Sequence, residues 1–394
     1  MKFQNLLNIL YDKIFRNAKK FLITSELCSR RTRSFCIRSL FDAGIGKCMY
    51  SELRLIDANS NRAREGIRTA EDYLRFSLGE FRWSSKLKAI RRSITELVAK
   101  RYSATELAGH RMVASDPQRP EGEAQSPPVD GNASGVAHRG LKRAQEALRV
   151  LEEFFRAETP DISGDFARHR YTLYETEQWL LVGSKSFEIL QGAKVYVLLT
   201  GALCKRGLEA TAEAVLKAGV KLVQIREKET EGEEFLKQAQ SLQRRCSQHG
   251  AVLICNDRPD IMLLAGATGA HVGQTDLPPV AVRKLIGELG IIGRSTHSLA
   301  QVDQALQEDV DYIAIGSMYE TSTKKSLTLT GLELARQVAA RNLPLPVFAI
   351  GGISLERLPD IKACGISRVA ISSAIISADD PEYEARKFIE IMAK

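Results

Sequence analysis

Residues 222–228 read LVQIREK, and this stretch decides both the fold and the place of the chemistry. Side chains alternate along an extended strand, so Val223 and Ile225 point to one face, which suits a packed core. Gln224, Arg226 and Lys228 point to the other face. A protein interior tolerates an amide and two cations only with partners, and a buried phosphate or pyrophosphate would supply them. An edge strand with a solvated polar face is the alternative interpretation.

Working outward, this strand is one of eight apolar, strand-like runs in the C-terminal half. The runs begin near Val195, Leu222, Val252, Gly269, Ile291, Tyr312, Pro346 and Arg368. Helical patterns lie between them, at 207–219, 230–249, 299–308, 331–342 and 381–393. This alternation predicts an α/β fold, a (β/α)8 TIM barrel. A doubly wound open sheet competes, but Thr200-Gly201-Ala202-Leu203 after the first strand lacks a dinucleotide fingerprint.

An all-α domain is predicted ahead of the barrel, because residues 50–110 and 139–181 show helical apolar spacing. Residues 61–75 repeat at 142–156, and the repeat aligns Arg62 with Arg143, Glu65 with Glu146, Arg68 with Arg149, and Glu71 with Glu152. The repeat predicts two similar helical hairpins packed on each other. The Pro- and Gly-containing stretch at 114–138 is expected to be a loop within this domain.

The chain of 394 residues is expected to divide at 1–48, 49–185 and 186–394. Residues 1–48 carry ten Lys or Arg residues against three acidic ones, a net of +7 out of +8 for the whole chain. The remainder has no basic field that would favour nucleic acid. The extension is interpreted as a targeting peptide or as sequence read from too early a start, with Met49 as the initiator; the second is favoured.

Composition places the chain among ordinary soluble proteins, with 44% hydrophobic and 26% charged residues and no apolar run long enough to span a bilayer. Cys204, Cys246, Cys255 and Cys364 are scattered without metal-binding or disulfide spacing, as expected for reduced thiols in a cytoplasmic protein. The expected partners are small-molecule substrates, with no nucleic acid and no membrane. A homo-oligomer is left open.

Polar residues recur where the predicted strands end, which is where barrels of this kind place their active sites. Asn256 and Asp257 end the third strand, and Asp276 follows the fourth. The two carboxylates come from adjacent strands, and Mg²⁺ needs only one or two carboxylates when it also binds pyrophosphate oxygens. A turn is the structural alternative for Asn256-Asp257. Gly351 and Gly352, with Ser372 and Ser373, end the last two strands, where barrels commonly bind phosphate.

Six motifs in this order resemble thiamine-phosphate synthase, over about residues 190–394. They are QIREK at 224–228, NDR at 256–258, HVGQTD at 271–276, STH at 295–297, TSTK at 321–324 and AIGGI at 349–353. The resemblance implies that hydroxymethylpyrimidine diphosphate is joined to thiazole phosphate with release of pyrophosphate. Glu320 stands where the family often has Pro, and Ser372 where it usually has an aliphatic residue.

Ligand assignments follow from the resemblance position by position. The pyrimidine diphosphate would bind Gln224, Ile225, Arg226, Glu227, Lys228, Asn256, Ser295 and Lys324, with Arg226, Lys228 and Lys324 as the catalytic cations. The thiazole phosphate would bind Thr321, Ser322, Thr323, Gly351, Ser372 and Ser373. Asp257 and Asp276 would bind Mg²⁺. Loss of pyrophosphate leaves a ring-stabilised cation, so the protein must neutralise charge and orient the nucleophile, without a covalent step.

His297 lies on the same strand face as Ser295, two residues on, and is interpreted as a structural histidine or as a general base.

The helical region resembles the domain often fused ahead of bacterial synthases, and residues 55–68 and 147–153 carry this resemblance. That domain is associated with phosphorylation of hydroxymethylpyrimidine phosphate; exposed ion pairs are the structural alternative. Two rival functions stay open for the barrel, a thiazole tautomerase-like enzyme and a non-catalytic regulator.

Overall fold

A computed structural model describes residues 45–111, 132–320 and 331–394. The α-helices are α1 (Ile45–Asp72), α2 (Phe81–Ala99), α3 (Ala104–Gly109), α4 (Ala133–Glu158), α5 (Pro160–Gln178), α6 (Ser184–Gly192), α7 (Leu208–Lys217), α8 (Gly232–Gln248), α9 (Pro259–Ala265), α10 (Pro279–Ile286), α11 (Leu299–Gln307), α12 (Gly331–Ala339), α13 (Leu358–Ala363), α14 (Ser373–Ile376) and α15 (Pro381–Ala393). The strands are β1 (Val195–Leu199), β2 (Leu222–Ile225), β3 (Val252–Asn256), β4 (Gly269–Val272), β5 (Ile291–Thr296), β6 (Tyr312–Ile315), β7 (Val347–Ile350) and β8 (Val369–Ile371). Within these ranges no helix is both long and apolar enough to cross a membrane.

Internal contacts group the described residues into two compact units. The first consists of 45–65, 91–111 and 143–170. The second consists of 66–90, 132–142 and 171–394, and it contains all eight strands. Residues 66–90 and 132–142 therefore belong to the same compact unit as the strands, although they are helical.

Both copies of the internal repeat are helical: residues 61–72 lie in α1 and 73–75 in the π-helix Tyr73–Ser77 that follows it, and residues 142–156 lie in α4. The equivalent residues Glu71 and Glu152 are both buried, at 2% and 3% exposure. Glu152 accepts hydrogen bonds from Arg149 and Arg156 at 2.8 and 2.7 Å and from Arg170 at 3.0 Å. Solvated ion pairs therefore do not account for the glutamates at these two positions.

Helix α4 begins earlier than the sequence predicts. The expected loop at 114–138 lies partly outside the described residues, but Ala133 onward is helical. Asn132 explains the difference, because its side-chain oxygen accepts the Gly135 N–H at 3.0 Å and its carbonyl accepts the Val136 N–H at 3.2 Å. Asn is a favoured N-cap residue, and such a cap lets the helix start here.

The eight strands form a closed parallel barrel in chain order, with β8 pairing back onto β1. The predicted TIM barrel is confirmed, and the doubly wound open sheet is wrong because the sheet has no free edge. Between the strands, the short helices α9, α10 and α13 were not predicted from the sequence. Each has only six to eight residues, too few for a clear helical period.

Strand alternation separates two cores. Val197 and Leu199 belong to the core between the strands and the surrounding helices, whereas Tyr196 and Leu198 belong to the core inside the barrel. Leu190 of α6 packs into this inner core and is fully buried. The inner core therefore includes a side chain from the helix that precedes β1, and the carboxyl ends of the strands carry the site described next.

Candidate active site

A cavity of about 400 Å³ lies at the carboxyl ends of the strands. Seven predicted ligand residues line it: Gln224, Arg226, Asn256, Ser295, Gly351, Ser372 and Ser373. The side chains of five other predicted site residues lie off its wall: Ile225, Glu227, Lys228, Asp257 and Asp276. The predicted residues Thr321, Ser322, Thr323 and Lys324 lie outside the described residues. The fold thus brings ligand candidates from β2, β3, β5, β7 and β8 to one cavity.

The β2 strand alternates as the sequence predicts. Val223 and Ile225 are fully buried on the helix-facing side, so Ile225 can reach a cavity ligand only through its backbone. Gln224 and Arg226 face the cavity. Arg226 is half-buried, and no carboxylate of the described chain pairs with its guanidinium. Burial lowers its pKa, while Asp257 and Glu227 act in the opposite direction. A half-buried guanidinium without a carboxylate partner favours an anionic ligand.

The side chains of Glu227 and Lys228 do not line the cavity. Glu227 Oε1 accepts the Gly201 N–H at 2.6 Å, and the Thr230 hydroxyl lies 3.4 Å from its second oxygen. The Glu227 carboxylate therefore fastens the turn after β1. Lys228 is exposed, and its charge acts on Asp257, whose pKa it lowers.

Asp257 and Asp276 lie close enough to share a hydrogen bond. Burial, together with the hydrogen bond to Asp276 and the charge of Asp276, raises the pKa of Asp257 to about 6. Asp257 has a left-handed backbone (φ 59°), which Asp tolerates better than most residues. Two facing carboxylates supply the oxygen ligands that Mg²⁺ prefers. Among the described residues no group of three or more His, Cys, Asp or Glu residues forms a metal site.

The loop that carries Asp276 is braced by β5. Arg294 Nη1 donates to the Gly273 carbonyl at 2.7 Å, and Gln274 Nε2 donates to the Ser295 carbonyl at 2.6 Å. Within the loop, the Gly273 N–H donates to Asp276 Oδ2 at 2.8 Å. The sequence gives no signal for Arg294, because its position in the strand alternation assigns it to the helix-facing side.

Glycine is required at the corner formed by the end of β7. Gly351 and Gly352 have φ of 102° and 63°, which L side chains rarely adopt. A Cβ at Gly351 would overlap Ser317 Oγ, and one at Gly352 would overlap the Glu320 carbonyl oxygen. Ser372 donates its hydroxyl to the Leu198 carbonyl at 3.1 Å, and Ser373 begins α14. The corner is thus narrow and lined by backbone, as a phosphate site requires.

His297 lines the cavity, and its ring is fixed by a hydrogen bond between Nδ1 and the Gly316 carbonyl. Because a carbonyl only accepts, Nδ1 carries a proton, and in the neutral ring Nε2 is the nitrogen with the lone pair. This geometry fits a structural histidine and also leaves an acceptor nitrogen. Sequence reasoning missed Tyr196, His271 and Ser317, which also line the cavity. The sequence did carry a signal for Tyr196 and His271, because the alternation along their apolar strands points both side chains into the barrel.

Comparison with known proteins gives two family matches. The model described as thiamine monophosphate synthase matches residues 195–375, and that of the ThiD2 family matches residues 54–179. A thiamine-phosphate synthase of Synechococcus sp. (strain CC9311) is 40% identical over 354 residues, which cover 86% of this chain and 96% of that protein. Those of Synechocystis sp. and Gloeobacter violaceus are each 36% identical, with the same coverage of both chains. Both resemblances drawn from the sequence are confirmed. The chain belongs to the thiamine-phosphate synthase family.

Proposed function

We propose that the barrel joins hydroxymethylpyrimidine diphosphate to thiazole phosphate, giving thiamine phosphate and pyrophosphate. The observation that carries this proposal is the half-buried Arg226 guanidinium at the cavity wall, with no carboxylate partner in the described chain. The glycine corner at Gly351 opens into the same cavity and supplies a second place for a phosphate. One cavity with two anion sites fits a reaction between two phosphorylated substrates.

In this reaction the bond between the pyrimidine-methyl carbon and the diphosphate oxygen breaks, and the electron pair leaves with pyrophosphate. The thiazole nitrogen then donates its lone pair to the same carbon. No protein nucleophile and no proton transfer are needed. Arg226 and Lys228 would stabilise the negative charge that develops on the leaving group, and the corner at Gly351 would orient the thiazole.

Asp257 and Asp276 would hold Mg²⁺. Their facing carboxylates fit a hard divalent cation, because burial and mutual repulsion make two negative charges costly without one. When bound, the ion would neutralise charge on the diphosphate. Gly273 and Arg294 would serve this site by holding the loop in which Asp276 lies.

The remaining assignments rest on the resemblance together with position. Gln224, Asn256 and Ser295 would hold the pyrimidine diphosphate from the cavity wall, and Ile225 and Glu227 would contribute backbone only. Ser372 and Ser373 would complete the thiazole-phosphate corner. Thr321, Ser322, Thr323 and Lys324 are carried over from the family motif alone.

The test is to incubate the full chain with both substrates and Mg²⁺ and to measure thiamine phosphate. Arg226→Ala should raise the KM for the pyrimidine diphosphate by about tenfold or more, which corresponds to one lost charge-assisted contact. Arg244→Ala, on an exposed face of α8, is the matched control and should leave the KM unchanged. Equal effects of the two substitutions would contradict the placement of the diphosphate.

The same assay separates the rival functions. A tautomerase-like enzyme would convert one thiazole isomer into another without joining the rings. A regulator would bind a ligand and give no product. Formation of thiamine phosphate at a rate that depends on Arg226 excludes both as the main activity.

For the helical region we propose phosphorylation of hydroxymethylpyrimidine phosphate, which would supply the substrate of the barrel. The match of residues 54–179 to the ThiD2 family and the resemblance of the repeat support this proposal. The test is to supply hydroxymethylpyrimidine phosphate and ATP in place of the diphosphate. Thiamine phosphate that forms only with ATP supports the proposal, and its absence with an active barrel contradicts it.

We also propose the division into 1–48, 49–185 and 186–394. The change from helices to alternating strands and helices supports a boundary near 185, as do the separate family matches. Residues 66–90 share a compact unit with the barrel, however. Limited proteolysis tests the boundary: cleavage near 185 that leaves a stable C-terminal fragment supports it.

A further inference from the structure

An unbroken line of hydrogen bonds runs along the floor of the cavity. Gln224 Nε2 donates to Tyr196 Oη at 2.6 Å, and Tyr196 Oη lies 2.9 Å from Tyr312 Oη. Tyr312 Oη lies 3.1 Å from His271 Nδ1, and His271 Nε2 lies 2.8 Å from Ser295 Oγ. The five side chains come from five strands, β2, β1, β6, β4 and β5. Two of them are ligand candidates, and the other three have no role so far.

The direction of this line is set at its first link, because an amide nitrogen only donates. Tyr196 Oη accepts from Gln224, so its own proton points to Tyr312. Tyr312 in turn donates to His271 Nδ1, which leaves the ring proton on Nε2. If Tyr312 instead donated to Tyr196, the Tyr196 O–H would have no acceptor among the described residues. A buried unpaired O–H is costly. Ser295 therefore accepts from His271 and keeps its own proton for another acceptor.

The two ends of the line face the cavity with opposite character. Gln224 Oε1 is buried and has no hydrogen-bond partner in the described chain, so it can accept from a ligand N–H. Ser295 offers an O–H to a ligand acceptor. We propose that Tyr196, Tyr312 and His271 are positioning residues that fix Gln224 as an acceptor and Ser295 as a donor toward the pyrimidine substrate. This inference rests on the proposed function of the cavity.

Packing alone does not account for these polar groups. Phe348 fills the same inner cluster with an apolar ring, 5.7 Å from the Tyr312 ring centre, so the cluster accepts an aromatic side chain without a hydroxyl. The barrel also makes room for the line. A Cβ at Gly293 would overlap both the Tyr312 ring and His271 Nδ1, so glycine there is what lets these two side chains meet. The polar line is thus built into the strand register.

Tyr312→Phe tests the inference, because it removes one hydroxyl from a fully buried residue that does not line the cavity. The expected result is a rise of about tenfold in the KM for the pyrimidine diphosphate, the cost of one misoriented hydrogen bond. The KM for thiazole phosphate should stay unchanged. Phe348→Leu is the matched control, since it disturbs the same aromatic cluster and leaves the line intact; it should lower the melting temperature without raising either KM.

Gln224→Ala and Ser295→Ala separate this inference from the proposed function. If both raise the KM for the pyrimidine diphosphate and Tyr312→Phe does so too, the inference is supported. If both raise it and Tyr312→Phe does not, the inference is overturned and the proposed function stands. If neither raises it while the chain makes thiamine phosphate, the ligand placement is wrong and the inference is overturned with it.

A measurement independent of activity tests the direction of the line. In the full chain labelled with ¹⁵N-histidine, the His271 signals should show a protonated Nε2 and an unprotonated Nδ1. Gln224→Leu removes the donor three hydrogen bonds away and should weaken this preference. A wild-type His271 protonated on Nδ1, or a preference unchanged in Gln224→Leu, would overturn the inference.

Discussion

Arg82 Nη1 donates to the Glu288 carboxylate at 2.8 Å, and Arg82 Nη2 donates to the Glu288 carbonyl oxygen at 3.0 Å. One guanidinium near the start of α2 thereby holds the loop that precedes β5. Lys86 lies 3.1 Å from the same carboxylate. The Arg82 side chain is only 14% exposed, so water screens this pair weakly. The contact lies at the amino ends of the strands, which in a barrel serve stability more than catalysis.

Arg82→Ala should therefore lower the free energy of unfolding by about 2 kcal/mol and leave the synthase rate nearly unchanged. Urea denaturation of the full chain measures the first effect. Arg68→Ala is the matched control, because Arg68 pairs with Asp72 on an exposed face and should change stability by less than about 0.5 kcal/mol. Similar losses for both variants would show that the Arg82 contact adds no more than a surface ion pair.

Glu80 predicts a dependence of stability on pH. It caps α2, accepting the Trp83 N–H at 2.6 Å, and burial raises its pKa from 4.5 to about 7. Because the folded pKa is the higher one, the stability linked to protonated Glu80 is present below pH 4.5 and is lost as pH rises to 7. Glu80→Gln should not show this loss. Its free energy of unfolding relative to wild type should therefore rise by about 3 kcal/mol as pH goes from 4.5 to 8. A difference in free energy of unfolding between Glu80→Gln and wild type that stays constant across this pH range would contradict the prediction.

Predictability from the sequence was greatest where one strand decides the geometry. The period of two fixed the faces of Val223 and Arg226, and parallel strand ends brought Asp257 near Asp276. Prediction from the sequence failed where a side chain contacts a residue far away along the chain. Glu227 bends to Gly201, and Arg82 meets Glu288 across 206 positions of the chain. Such contacts depend on loop shape and docking, which periodicity does not encode.

Gly351→Ala should raise the KM for thiazole phosphate and also lower stability, because its Cβ would overlap Ser317 Oγ at a position with φ of 102°. Gly266→Ala is the matched control. Gly266 also has a positive φ, of 66°, but nothing lies within 4 Å of an added Cβ, so this variant reports backbone strain alone, about 1 kcal/mol. Steady-state kinetics with each substrate varied in turn gives the comparison. An unchanged KM for thiazole phosphate in Gly351→Ala would remove that glycine from the phosphate corner.

Arg294→Met should weaken metal binding without touching a ligand. The substitution removes the hydrogen bond to the Gly273 carbonyl that braces the loop of Asp276, and supports of this kind typically change metal affinity by about tenfold or more. Binding of Mn²⁺, measured by electron paramagnetic resonance on the full chain, reads the effect directly. Arg341→Met, which breaks only the pair with Asp303 on the surface, should leave binding unchanged. Asp276→Asn sets the scale, and its failure to weaken binding would contradict the proposed metal site itself.

His297→Ala separates the two interpretations of that histidine. The thiazole nitrogen already carries its lone pair, so joining the rings needs no proton transfer from His297. The imidazole also donates Nδ1–H to the Gly316 carbonyl, which accounts for the residue as a support of the cavity wall. We therefore expect the synthase rate to fall by less than about tenfold, whereas loss of a general base typically costs roughly a hundredfold or more. The rate should be measured together with thiazole isomer exchange, and circular dichroism should show that the variant is folded. A folded variant that loses nearly all synthesis, or a wild-type chain that exchanges thiazole isomers through Nε2, would make His297 a proton-transfer residue and would favour the tautomerase-like function.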